Sequence, residues 1–131
     1  MVYKVLIADD EPIMRKAMQT LIDWDSIGCQ LVYVASGGQE VMDYLNNKMP
    51  DILILDEATS NLDAVTERAL DVTIGEFASQ MTTIFIAHRL STIKNCDRIY
   101  VLEKGKVIES GTHRELIQRG GKYACLVRQQ S

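Results

Sequence analysis

Short runs of branched apolar residues alternate with segments of helical period along the whole chain. That alternation limits the fold more than any other feature. Val2 to Ala8, Gln30 to Ala35, Ile52 to Leu55, Thr82 to Ala87 and Arg98 to Leu102 read as strands. A strand sheltered on both faces is a continuous apolar run rather than an in-out alternation, and parallel neighbours need a crossover between them, usually a helix. Ile52-Leu53-Ile54-Leu55 is the most hydrophobic run and is expected at the centre of a parallel sheet.

The intervening segments carry helix signals. Asp10 is expected to cap a helix with Pro12 in its first turn, and Ile13, Met14, Ala17, Met18, Leu21 and Ile22 fall on one helical face. Gly28 closes that unit. Ser36 is expected to cap a second helix carrying Val41, Met42 and Leu45, which stops before Pro50. Asp63 is expected to cap a third, running to about Gln80 with Val65, Ala69 and Val72 inward; Gly75 within it costs about 1 kcal/mol relative to alanine. A short helix spans Leu90 to Lys94. Glu103-Lys104-Gly105-Lys106 reads as a hairpin turn into an antiparallel strand, Val107 to Glu109. Thr112 and Glu115 form a capping box, and Gly120-Gly121 separates that helix from a final amphipathic stretch, Tyr123 to Arg128.

These signals predict an α/β chain with a flavodoxin-like doubly wound parallel sheet of order 2-1-3-4-5 and a short extra antiparallel edge strand. At 131 residues the expectation is a single domain, residues 1–131. With 47% apolar and 24% charged residues the composition is that of a globular protein. No apolar run reaches the 18 or so residues of a membrane span, and no signal-peptide pattern opens the chain, so cytoplasmic location without membrane insertion is expected. Cys29, Cys96 and Cys125 are widely spaced with no CxxC pair and are expected as reduced thiols. Residues 1–80 hold 14 acids and 5 bases, whereas residues 81–131 hold 4 acids and 9 bases. The bases are scattered singly among acids, which argues against a nucleic-acid face and for two halves of different history.

Asp9 and Asp10 end the first strand and Asp56 ends the third. In a doubly wound sheet these carboxylates converge at the carboxyl ends of the strands, where a hard divalent cation such as Mg²⁺ would relieve their repulsion. The stretch Val5-Leu6-Ile7-Ala8-Asp9-Asp10-Glu11-Pro12, with Ala35-Ser36-Gly37-Gly38-Gln39-Glu40 and Met49-Pro50-Asp51-Ile52-Leu53-Ile54-Leu55-Asp56, resembles response-regulator receiver domains over about residues 1–56. That resemblance implies metal binding by Asp9 and Asp10 and a phosphoacceptor role for Asp56. The family's Ser or Thr at the end of strand four and Lys at the end of strand five are replaced here by Ala87 and Glu103, with Lys104 one residue along.

From Ile52 onward the chain resembles the C-terminal part of ABC-transporter nucleotide-binding domains. Ile52-Leu53-Ile54-Leu55-Asp56-Glu57 has the Walker-B pattern, and Ala58-Thr59-Ser60-Asn61-Leu62-Asp63 the following D-loop. Thr83-Ile84-Phe85-Ile86-Ala87-His88-Arg89-Leu90 resembles the switch-histidine strand, and the match continues through Gly105-Lys106-Val107-Ile108-Glu109-Ser110-Gly111-Thr112-His113. By this resemblance Glu57 would polarise water and His88 would sense a γ-phosphate. Activity does not follow. A P-loop needs G-x-x-x-x-G-K-[ST], and Gly105-Lys106 and Gly121-Lys122 are not followed by Ser or Thr. Ser36-Gly37-Gly38-Gln39 mimics the ABC signature but stands closer to Asp56 than that family places it.

Asp56 is phosphoacceptor in one frame and Walker-B aspartate in the other, so the halves superpose on the third strand, residues 1–56 against 57–131. The expectation is an engineered chimera without ATPase or other native catalytic activity, Glu57 and His88 being vestigial, which retains a weak Mg²⁺ site at Asp9, Asp10 and Asp56. A phosphorelay-type, weakly Mg²⁺-dependent phosphoacceptor is the alternative. An ATP-binding fragment is the third reading, disfavoured for want of a P-loop. No partner is implied, and a homodimer or domain swap would arise at the short 89–96 connection.

Overall fold

The computed structural model describes residues 1–56, 64–86 and 90–130. It divides into two compact units, Met1–Ala87 and His88–Ser131.

In the first unit, β1 (Tyr3–Asp9), β2 (Cys29–Ala35), β3 (Ile52–Asp56) and β4 (Thr82–Ile86) form a parallel sheet of order β2-β1-β3-β4. The inner strand β1 is buried on both faces, which is why its sequence does not alternate. Leu6 and Ala8 join Leu53 and Leu55 beneath α2 (Gly38–Leu45) and α3 (Ala64–Glu76), where Val41, Leu45, Leu70 and Ile74 complete one core. On the other face Val5, Ile7 and Cys29 pack with Met18 of α1 (Pro12–Thr20) and with Trp24, whose Nε1 donates to the Met18 carbonyl at 2.9 Å. Each fully buried Leu or Ile contributes about 1.5–3 kcal/mol.

Several local expectations are corrected. α1 buries none of its residues, and Ile13 and Leu21 are each 82% exposed. Its N-cap is Glu11, without a side-chain bond, so Asp10 does not play that part. α2 is capped by Gly37, because the Ser36 side chain is engaged with Glu40 instead. α3 turns Leu70 and Ile74 inward and leaves Val65 and Val72 exposed. Both stripes have helical spacing, and the bulkier Leu70-Ile74-Phe77 stripe removes more apolar area from water. α3 ends at Glu76, one residue past Gly75. The cap expected at Asp63 lies outside the described residues.

In the second unit, β5 (Ile99–Glu103) and β6 (Lys106–Gly111) form a separate antiparallel sheet. Lys104 at φ 52° and Gly105 at φ 76° make the two-residue turn, a left-handed pair that suits the twist of a hairpin. After β6 come α5 (His113–Arg119) and α6 (Lys122–Gln130); a short α4 (Leu90–Ile93) precedes β5. Ile99, Val101, Leu116 and Tyr123 are the core of this unit. The Thr112–Glu115 capping box forms, with Glu115 N donating to Thr112 Oγ1 at 3.2 Å and Thr112 N to Glu115 Oε1 at 3.1 Å.

The order 2-1-3-4-5 is thus met in its first four places, while the fifth strand is engaged with β6 in a sheet of its own. The hairpin itself is as expected, closed by its two-residue turn.

Candidate functional site: the acidic rim of the parallel sheet

The site is built by register. Asp9 and Asp56 are partners at the last step of the β1–β3 pairing, on strands about 4.8 Å apart. Asp9 is buried at 3% exposure, and its Oδ1 accepts from the Glu11 backbone N–H at 2.9 Å. Asp56 is half-buried, as is Asp10. The sheet therefore brings the three predicted aspartates to one end of two neighbouring strands.

Arg15, one turn into α1, donates from Nη1 to the Asp9 carbonyl at 2.8 Å. Glu40 of α2 reaches back to the end of β2, accepting from Ser36 N at 2.5 Å, from the Ser36 hydroxyl and from Tyr33 Oη at 3.2 Å. The Ser36 hydroxyl and backbone bonds, then Tyr33 and Arg15, hold the Glu40 carboxyl below its ordinary range. Sequence reasoning missed Arg15 and Glu40. The available signal was the Ser36…Glu40 spacing, one helical turn apart at a helix start.

The donor types suit a hard divalent cation. Mg²⁺ is usually held by only one or two carboxylates, with water completing its shell. Yet among the described residues no group of three His, Cys, Asp or Glu is gathered closely enough to hold a metal. Asp9 and Asp56 are the pair that could share an ion, and the arrangement is not a ready-made cage.

Glu57, Ala87 and His88 lie outside the described residues. Glu103 stands opposite Lys106 in the β5–β6 pair, and Lys104 occupies the hairpin turn. The second unit has a polar cluster of its own. Buried Glu109 accepts from Tyr123 N at 2.8 Å through Oε1, and His113 Nδ1 lies 2.8 Å from Tyr123 Oη. Burial, then Cys96, pushes the Tyr123 phenol up.

The family model of the response regulator receiver domain matches residues 5–86. Curated relatives come from a different quarter. The β-(1→2)glucan export ATP-binding/permease protein of Rhodopseudomonas palustris is 59% identical over 83 residues, covering 63% of this chain and 14% of that protein. The mitochondrial potassium channel ATP-binding subunit of Xenopus tropicalis is 56% identical over 84 residues, covering 64% of this chain and 12% of that protein. The chain thus spans about an eighth of the length of these relatives. Among solved structures, a bacterial Atm1-family ABC exporter with ATP bound superposes with a TM-score of 0.62 at 22% identity, covering 99% of this chain and 37% of that one. At that identity the likeness is one of fold. The receiver match and the transporter matches together exceed the length of the chain, so they overlap.

Proposed function

The chain belongs to the response regulator receiver domain family, matched across residues 5–86, and from that premise we propose that it is an engineered chimera. In this reading a receiver front and the C-terminal part of an ABC-transporter nucleotide-binding domain form one flavodoxin-like domain without native catalytic activity. The observation that carries it is the overlap of two unrelated family matches on one continuous chain. No P-loop sequence is present, so nothing cradles a triphosphate, while the aspartates of the rim repel one. What remains is the Asp9–Asp56 pair, which would hold Mg²⁺ weakly, with Asp10 nearby in sequence.

The second reading is a weak phosphoacceptor, favoured by the place of Asp56 beside Asp9 at the strand ends. A carboxylate oxygen of Asp56 would attack the phosphorus of an acyl phosphate, the bond to the acyl oxygen would break, and the carboxylate would leave. A bound Mg²⁺ would neutralise the phosphoryl oxygens. Glu103 stands where the receiver family carries a lysine, so the adduct would form slowly.

The test is a thermal melt across a Mg²⁺ series with intact-mass analysis after acetyl-phosphate treatment. Ligand at ten times its Kd stabilises by about 1.4 kcal/mol, and Asp56→Asn should remove most of that gain. A melt unchanged by Mg²⁺ would eliminate the site, and a long-lived phosphoryl adduct on Asp56 would favour the second reading. Calorimetric titration with ATP should show no binding tighter than about millimolar, roughly −4 kcal/mol. Tighter binding would restore the nucleotide reading.

A further inference from the structure

Arg15 brings a positive charge to the acidic rim from one face of the sheet. It stands one turn into α1, half-buried, and its Nη1 donates to the Asp9 carbonyl at 2.8 Å. Carbonyl and carboxylate belong to the same residue, so ordinary bond lengths keep the guanidinium within about 8 Å of the Asp9 carboxylate. Asp9 is in turn the register partner of Asp56.

The guanidinium also interacts with an acid from the opposite face. Glu40 of α2 accepts from Ser36 N, the Ser36 hydroxyl and Tyr33 Oη. The Ser36 bonds, then Tyr33 and Arg15, lower the Glu40 carboxyl. A chain of interactions thus runs from β2 and α2 through Glu40 and Arg15 to the end of β1. Glu11, one turn before Arg15, and Lys16 beside it are both exposed, so water screens them more than it screens Arg15.

We propose that Arg15 is the resident counter-ion of the rim: it offsets the repulsion between Asp9 and Asp56 when no metal is bound, and it weakens divalent-cation binding there. The second effect rests on the Mg²⁺ reading given above; the first does not. Carboxylates on neighbouring strand ends raise each other's cost of ionisation, and a cation fixed beside them lowers that cost without an ion from solution. The same fixed charge repels an incoming Mg²⁺, because the separation is comparable with the Debye length, about 8 Å at physiological salt.

The first experiment is a double-mutant cycle on the full chain in EDTA, read by urea unfolding. α1 buries none of its residues, so Arg15→Gln is sterically accommodated. Asp56→Asn removes one like charge, and it should be more favourable to stability in the Arg15→Gln background than in the wild type, where Arg15 already offsets that charge. The coupling should be at least about threefold in the unfolding equilibrium constant. In an Arg15→Lys background, which keeps the charge, Asp56→Asn should behave as in the wild type. Additive effects would overturn the proposal and reduce Arg15 to a tie between α1 and the sheet. The second experiment is a thermal melt across a Mg²⁺ series. Arg15→Gln should bind Mg²⁺ about threefold more tightly or better, and Arg15→Lys as the wild type does. Equal Mg²⁺ affinity in all three would overturn the second effect. No Mg²⁺ response in any of them would refute the metal reading itself, while a non-additive cycle in EDTA would still uphold the counter-ion.

Discussion

Gly121 stands where β6, through Glu109, meets the start of α6, and Gly121→Ala probes that junction directly. A methyl group there would overlap Glu109 Oε2 and lie 3.0 Å from its Cδ. The carboxylate cannot simply swing away. Its other oxygen accepts the Tyr123 N–H at 2.8 Å, one of the α6 amides without a partner inside its own helix, and Glu109 is 8% exposed. Relief of the overlap therefore weakens a hydrogen bond to a charged group, worth about 1.5–3 kcal/mol. Gly121 also precedes α6, and its carbonyl accepts from Cys125 N at 3.1 Å, as an N-cap does. Alanine at an N-cap adds a few tenths of a kcal/mol more. The expected loss is about 2–3 kcal/mol, measured by urea unfolding followed by circular dichroism. Glu109→Ala removes the obstacle, so the double variant should be more stable than additivity predicts by about 1–2 kcal/mol. A Gly121→Ala loss below about 0.5 kcal/mol, or strictly additive values, would refute this account.

Three further outcomes are expected. Ser36→Ala should let the Glu40 carboxyl rise toward its ordinary range, read by NMR titration; because the folded value is lowered, the network stabilises above the ordinary carboxylate range and fades as pH falls through the lowered value, and an unmoved titration would refute the assignment. Thiol labelling should modify exposed Cys125 first, half-buried Cys96 later because burial and Asp97 push its thiol up, and buried Cys29 last; early labelling of Cys29 would contradict its packing. The second unit is near the lower size limit for independent folding, so Trp24 fluorescence, which reports on the first unit, and far-UV circular dichroism, which reports on both, should give coincident unfolding transitions. Two separate transitions would show that the units fold alone.

Local chemistry was legible from residue order wherever it was self-contained. The apolar runs of β1 and β3 could only be sheltered strands, the Thr112–Glu115 box closes within four residues, and Lys104-Gly105 turns the chain by its own backbone preference. The register that sets Asp9 beside Asp56 follows from two parallel strands that both end in acid. Choices between equivalent partners were decided only in three dimensions. α3 carries two apolar stripes, and the sheet selected Leu70 and Ile74 over Val65 and Val72 because they filled the core. Ser36 could bond an α2 backbone amide or the Glu40 carboxylate, and the carboxylate won because a charged acceptor makes the stronger bond. Nothing in the residue order sets Glu109 apart from other acids, and only packing against Gly121 and Tyr123 makes it a buried helix partner.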